Sequence, residues 1–460
     1  MKCMTMRTAL VPWLLWSVGL GGCAHGQRAR FDELQSALGE ARQSSAYEQR
    51  PEEQASFAMD AALEREALVR AVLARNPNLE AARQAWRAAL SEHPQARSLQ
   101  DTMVSYSLAP LSIGSDVVRF GQVVRLEQRF PTPGKFRFAG EVALAEAEAK
   151  QSDYEAVRLT LALMASSLFD EYYRVTRLLE LNDEHRQLIE DIKASAMAQY
   201  EAGRVSQQDP LQAEVELAHI IHQRVMLASE REVIVAQING LLHQRPEVPL
   251  PAPPQRMESR ELDIPSTEGL QEEALENRPE LKSSQSQAMA ASSAVDLAKR
   301  NYAPEIGLMG EYNSMWAETQ HRWMAGVVLN LPLQIRSRKG AVDEAQAGAE
   351  QAMAELSAKQ DEMRVEVDQA RHRVFEAQHV VQLYEERLIP AARAQIEAAE
   401  SGYETGRNSL QALIDAERSL RTLEVEHEDA LASLGQRAAE LDRARGILPG
   451  VGEGEQDAHR

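Results

Sequence analysis

Cysteine is almost missing from this chain. Cys3 and Cys23 are its two thiols, and a leader that ends before Cys23 would leave only one. That excludes a disulfide framework, a Cys-based zinc site and a cysteine nucleophile. Aromatic residues make up 5% of the sequence, and no long apolar run follows the first twenty or so positions, so no transmembrane helix is expected in the body. Basic residues are outnumbered, 50 Lys and Arg against 70 Asp and Glu, for a formal charge of −20. A balance this acidic argues against nucleic acid as a partner and suits a soluble surface or a passage that favours cations. The sequence also lacks a metalloprotease helix, a phosphate-binding glycine loop and a Gly-x-Ser-x-Gly elbow. His219 and His222 could share a helix face, but no third ligand stands near them in sequence. No enzyme, metal site or cofactor is expected.

What is abundant is Ala, Glu, Gln, Arg and Leu in long stretches, the composition of long helices and coiled coils. One pentapeptide organises them. Tyr200-Glu201-Ala202-Gly203-Arg204 returns 203 positions later as Tyr403-Glu404-Thr405-Gly406-Arg407. Leu211, Ala213, Glu214 and Leu217 recur at the same offset as Ile414, Ala416, Glu417 and Leu420. A glycine between two helical runs reads as a helix stop, because only glycine enters the left-handed region without a Cβ penalty. Ser206 and Ser409 follow where an N-cap is expected. Each copy therefore reads as the tip of a helical hairpin.

Taken in order, the chain opens with Lys2, Arg7 and a short apolar run over residues 9–20, the pattern of a signal peptide over 1–22. Leu20-Gly21-Gly22-Cys23 resembles a bacterial lipobox, with Cys23 the lipidated residue and 23–54 a tether. Ala24 and His25 lack the Asp of an inner-membrane retention signal, which favours the outer membrane. The first repeat spans 55–244. It begins with a helical pattern carrying Asn76-Pro77-Asn78-Leu79, which matches Arg278-Pro279-Glu280-Leu281 in the second half. A strand with Val104, Tyr106 and Leu108 on one face follows. A second strand carries Val118, Phe120, Val124, Leu126 and Phe130 on one face and Arg119, Arg125, Glu127 and Arg129 on the other. Such alternation fits a strand between lipid and water as well as a half-buried sheet. From residue 135 to 198 only Gly140 interrupts a helical run that could reach about 95 Å. A Pro-rich linker at 245–267 leads to the second repeat, 268–446, whose strands carry Ile306, Leu308 and Tyr312, then Trp323, Val327, Leu329 and Leu331. Pro332 closes it as Pro131 closed its counterpart. Residues 447–460 form an acidic tail.

Four strands cannot close a barrel, and open edges are not tolerated in lipid. Transmembrane strands would need two chains for eight strands or three for twelve. The doubled Tyr-x-x-Gly-Arg tip, the helix–strand–strand–helix order of each half, the Pro-closed strands, the lipobox and Leu388-Ile389-Pro390 together resemble the TolC-type outer-membrane efflux factors over nearly all of 55–446. The resemblance implies a mainly α fold with a small transmembrane β part. In it, three chains share a twelve-stranded barrel joined to a long periplasmic helical tunnel in the outer membrane. It implies a passive exit duct for small molecules or ions, with a periplasmic adaptor and an inner-membrane pump as partners. It also implies acidic gate residues beyond the tip. Asp415 matches one such position. Ala412 occupies the other, and its first-repeat counterpart is Asp209. Gly203, Arg204, Val205 and Ser206, with Gly406, Arg407, Asn408 and Ser409, become the adaptor-docking surface. Two other readings stay open at this point: a periplasmic adaptor, and a structural coiled-coil lipoprotein without a channel.

Overall fold

The structure is a computed structural model that describes residues 21–45, 57, 61–117, 120–256 and 265–450, with the side chains of 21–25 excepted. The helices and strands follow in chain order as α1 (Gly21–Gln43), α2 (Arg65–Arg75), α3 (Pro77–Ala96), β1 (Met103–Leu108), β2 (Gln122–Phe130), α4 (Lys135–Glu201) and α5 (Gln208–Leu241). The second half brings α6 (Thr267–Asn277), α7 (Pro279–Arg300), β3 (Glu305–Asn313), β4 (Trp323–Asn330), α8 (Ile335–Leu383), α9 (Ile389–Glu404) and α10 (Leu410–Arg445). Each half thus repeats two short helices, two strands and a helical hairpin. The repeat is governed by proline. Pro77 and Pro279 each stand at the first position of a helix, where the missing N–H is no loss, and each ends the helix before it. Before Pro390, five residues at 384–388 widen into a π-turn in which the Ile389 N–H donates to the Tyr384 carbonyl. The wide turn accommodates a proline that an α-helix interior would reject.

The chain divides into two compact units. One contains residues up to 41, 83–152 and 282–357; the other contains 42–82, 153–281 and 358 onward. The first unit holds the sheet. Its strands lie in the order β1-β2-β3-β4, all antiparallel, so the two halves of the chain meet where β2 pairs with β3. Among the described residues β1 and β4 each keep one unpaired edge. Register sorts most of the side chains by polarity. Val104 lies opposite Leu126, Tyr106 opposite Val124, Val124 opposite Tyr312, Phe130 opposite Ile306, and Leu308 opposite Val327. This apolar face is open across its width, from Val104 to Trp323, which is 73% exposed. The other face is polar. There Arg125 donates to Glu311 Oε2 from Nε at 2.9 Å and from Nη2 at 2.7 Å.

Two expectations need correction here. β2 begins at Gln122, so Phe120 lies before the strand, and Val118 and Arg119 lie outside the described residues. Gly121 marks the break: its N–H donates to Ser112 Oγ at 2.8 Å instead of joining the strand pairing. The expected tether also differs at its start, since residues 21–43 are a helix whose positions up to 41 belong to the first unit. Arg30 grips Glu148 with Nε and Nη2 at 2.8 and 2.6 Å. Phe31 stacks on His93 with ring centres 4.9 Å apart, and Gln27 donates to the Arg137 carbonyl at 3.0 Å. In the same unit Ala143, Leu144, Ala145, Ala147 and Ala149 are all buried. Successive helix positions point in different directions, so this stretch of α4 is enclosed on several sides, and alanine permits that close approach.

The second unit is helical. One core joins Ile189 and Ile192 of α4, Ile220 of α5, Tyr403 of α9 and Leu413 and Ile414 of α10. A second joins Leu270 of α6, Val367 and Val374 of α8 and Leu434 of α10. The Pro-rich linker is fixed by polar side chains. Asn239 donates to the carbonyls of Pro246 and Val248 at 2.9 and 2.8 Å, and Tyr172 donates to that of Pro251 at 3.1 Å. Buried Asp170 lies against Gly435, where an added Cβ would come 2.7 Å from a carboxylate oxygen.

Candidate functional site at the paired helix tips

The two repeated pentapeptides fold alike. Gly203 has φ +71° and Gly406 φ +72°. In the first copy the N–H groups of Gly203 and Arg204 donate to the carbonyls of Tyr200 and Gln199, both at 2.9 Å. In the second, those of Gly406 and Arg407 donate to Tyr403 and Gly402 at 3.0 and 2.8 Å. This is the paired 5→2 and 6→1 bonding of a Schellman helix stop, which satisfies the last carbonyls and needs a left-handed residue. Each turn presents its arginine to solvent: Arg204 and Arg407 are exposed, as are Gly203, Ser206, Gly406, Asn408 and Ser409, while Val205 is half-buried. Ser409 caps α10 by accepting from the Ala412 N–H at 3.3 Å. Ser206 departs from its expected role. It accepts from Gln208 N–H at 3.2 Å, but α5 starts one residue later, with Gln207 in the cap position and making no side-chain bond.

Between the tips, the hairpins of the two repeats touch through polar side chains. Gln212 of α5 hydrogen-bonds Gln411 of α10. Tyr403 is buried, and among the described residues its hydroxyl has no hydrogen-bond partner. Burial, and then the negative charge of Asp209, push the Tyr403 phenol above its ordinary range. So the structure brings Asp209 of the first tip to Tyr403 of the second. Asp209 is half-buried and accepts from Ser206 Oγ at 3.3 Å. Asp415 differs: it is exposed, accepts from Gln411 Nε2 at 2.7 Å and lies 3.9 Å from Arg418. The lipidation reading rests on Cys23, whose side chain lies outside the described residues.

A buried charge cluster next to these residues was missed by the sequence reading. His185 of α4 is 5% exposed and meets two carboxylates of α10, with Nδ1 3.1 Å from Glu417 and Nε2 2.9 Å from Glu424. Glu417 is fully buried and lies 3.4 Å from Arg421. Arg421 reaches Glu216 of α5 at 2.6 Å, and Arg418 donates to the same carboxylate through Nε at 2.8 Å. Arg393 of α9 completes the set at 3.0 Å from Glu424. Burial alone would lower the His185 pKa, but the hydrogen bond to Glu424 and the negative charges of Glu417 and Glu424 overcome it and hold the imidazolium up to about 9. Burial would raise the Glu216 carboxyl, yet the two arginines keep it below the ordinary range. The cluster thus clamps four helices of both repeats just behind the tips. Its sequence signal was a faint one. Glu417, Arg421 and Glu424 fall within the apolar stripe of Leu410, Leu413, Ile414 and Leu420, where a solvated charge does not belong.

Among the described residues no helix is long and apolar enough to cross a membrane, and no group of three metal-ligating side chains occurs. Neither fact bears on the sheet, whose open apolar face and unpaired edges have no covering among the described residues.

Comparison with known proteins agrees with this architecture. Residues 270–446 match the family model described as outer membrane efflux protein. Among solved structures, the chain is similar to the outer-membrane channel OprN, with 20% identity, a TM-score of 0.71 and coverage of 83% of this chain and 89% of that one. It is similar to the CmeC outer membrane channel of Campylobacter jejuni, with 17% identity, a TM-score of 0.70 and coverage of 90% and 94%. It is also similar to the MtrE outer membrane channel of Neisseria gonorrhoeae in its open state, with 18% identity, a TM-score of 0.68 and coverage of 87% and 97%. At these identities the structural likeness speaks for the fold. No curated protein matches the sequence.

Proposed function

We propose that this chain is a member of the outer membrane efflux protein family, an outer-membrane efflux channel with a periplasmic helical domain that works as a passive duct, as the match of residues 270–446 and the shared fold support. Three copies would close a barrel of twelve strands. A periplasmic adaptor and an inner-membrane pump would deliver small molecules or ions to it. Channels of the TolC family are trimers that work with efflux systems. The observation that carries the reading is the four-stranded sheet, apolar and open on one face, mostly polar on the other and, among the described residues, unpaired at both edges. In lipid such edges must be paired, and copies of the same chain can pair them. Imaging of the detergent-extracted protein should show a threefold hollow ring. A solid monomeric or dimeric rod would sink the duct.

The tips supply the finer assignments. Asp415, exposed just beyond the second tip, would repeat around the axis of a trimer, and a ring of carboxylates selects cations and resists closure of like charges. Asp209 would act beside it from the first repeat. Replacing Asp415 with Ala is expected to raise ion leakage through reconstituted channels and weaken cation preference; unchanged conductance and preference would remove its role. The exposed arginine turns, residues 203–206 and 406–409, would form the adaptor-docking surface, with Arg204 and Arg407 offering one cation each per chain. The double charge reversal Arg204→Glu and Arg407→Glu should abolish cross-linking to the adaptor while leaving the trimer intact; normal cross-linking would move the docking site elsewhere. Lipidation at Cys23 would add an anchor to the barrel, and Cys23→Ser should leave the protein in membranes after a carbonate wash.

A further inference from the structure

The sheet has two ends, and their charges differ. At one end the chain makes the short connections 109–121 and 314–322. Each carries one acid and one arginine, Asp116 with Arg119 and Glu318 with Arg322. At the other end the strands join helices: α3 leads to β1, β2 leads to α4, α7 leads to β3, and β4 leads to α8. Of the four segments there, residues 97–102 carry one arginine and one acid, Arg97 and Asp101, whereas residues 128–140, 297–304 and 331–342 contain no Asp or Glu, in a chain that has 70 of them. The three acid-free segments hold eight Lys and Arg between them.

Some of these cations are engaged. Lys135 lies 2.9 Å from Glu305, Arg137 lies 2.9 Å from Glu141, and Lys299 lies 3.1 Å from Asp296. Arg300 covers the Phe138 ring at 5.6 Å, and Arg338 donates to the Asn301 carbonyl. Arg336 and Lys339 are exposed and have no partner among the described residues. The segment that carries them also bears three open apolar side chains: Leu331, Leu333 and Ile335 are 58%, 82% and 67% exposed. Leu331 continues the apolar parity of Val327 and Leu329 beyond the end of β4. Apolar side chains followed at once by unpaired cations are the profile of a membrane interface, with the former among acyl chains and the latter at headgroups. In the same unit a cavity of about 350 Å³ opens at this end, lined by Arg129, Lys135, Phe136, Leu297 and Glu305 among others.

We propose that this end of the sheet is a collar that binds anionic phospholipid headgroups of the periplasm-facing leaflet. Arg336 and Lys339 are its principal contacts, and Leu331, Leu333 and Ile335 seat the acyl chains. The proposal rests on the reading of the sheet as membrane-spanning and adds to it a preference for one lipid charge. In an acidic chain the collar offsets the repulsion that an anionic leaflet would otherwise exert.

The test uses the full-length protein reconstituted in vesicles of phosphatidylcholine with a minority of phosphatidylglycerol, followed by extraction and mass spectrometry of retained lipid. Wild-type protein should retain phosphatidylglycerol about fivefold or more above its share in the vesicle, as expected for each basic residue at an anionic surface. Raising the salt concentration should erode the enrichment. Arg336→Gln with Lys339→Gln should remove most of it, whereas Arg322→Gln at the opposite end should not. Retention in proportion to vesicle composition, or equal enrichment in the double variant and wild type, would overturn the collar while insertion itself upholds the channel. Failure of the wild-type chain to insert would overturn both. Salt dependence of the wild type keeps the question decidable if the double variant does not fold.

Discussion

Replacing His185 with Leu is expected to destabilise the helical unit by on the order of 3 kcal/mol near neutral pH and to flatten its dependence on alkaline pH. The imidazolium lies between Glu417 and Glu424 at 3.1 and 2.9 Å, and Glu417 is 0% exposed. Without the histidine, Glu417 keeps, among the described residues, only Arg421 at 3.4 Å, and a buried carboxylate with a weak partner costs far more than a surface one. The pH argument has a definite sign. The folded His185 pKa of about 9 lies above the ordinary 6.5, so its stabilisation is fully present below 6.5 and is lost as the pH rises through about 9. Thermal unfolding of wild type should therefore show a midpoint that falls over that window, and His185→Leu should remove the fall. Glu216 and Glu424 act on the acid side. Burial opposes their charge, but arginine for Glu216 and His185 with Arg393 for Glu424 hold both below the usual range. Their contribution is present above ordinary carboxylate pKa values and is lost as the pH falls through the folded ones. Asp170 supplies an internal control. Burial outweighs the Arg65 charge and pushes it up to about 7, so what it contributes fades as the pH rises to about 7, and the His185 substitution should leave that part of the profile alone. Parallel profiles for variant and wild type would show that the cluster does not titrate as the geometry implies.

That cluster also shows where reading a sequence stops. The tips were legible because a glycine after a helix, followed by a new helical pattern, admits one economical solution, and both glycines adopt it. The strands were legible because alternation has a period of two and register preserves it, so Tyr106, Val124 and Tyr312 share a face across three strands. Pro77 and Pro279 announced helix boundaries by their missing N–H. By contrast, acidic side chains on long polar helices carry no local sign of burial, yet Glu216 and Glu417 are among the most buried of the described residues. Their partners come from helices roughly 200 positions away, as in the pairing of Arg418 with Glu216, and no local pattern carries that information. The same holds for α1. Its polar composition suggested a tether, but Arg30 and Phe31 find Glu148 and His93 far along the chain. Of the site residues, the turn positions were placed by local geometry. The proximity of Asp209 to Tyr403 depends on how two hairpins pack and appears only in three dimensions.

A charge placed in the middle of the sheet should separate its two faces more sharply than any other change. Leu308 lies at the centre of the apolar face, opposite Gln128 on one side and Val327 on the other, and is 53% exposed. Its neighbour Met309 points to the polar face, where its register partner is Glu127. If the apolar face meets lipid, Leu308→Arg brings a guanidinium near the bilayer midplane at a cost of about 2–4 kcal/mol. That cost recurs in each copy of a closed barrel, so insertion should largely fail. Met309→Arg adds the same charge one residue along, beside a carboxylate and on the side that would line a water-filled lumen, and should insert nearly as well as wild type. Carbonate extraction of membranes from cells producing each variant reads the difference directly, since size, charge and strand propensity are matched. Equal loss in both variants would point to a general folding defect. Equal retention would mean that the open apolar face meets something other than lipid, and the unpaired edges of β1 and β4 would then need a different cover.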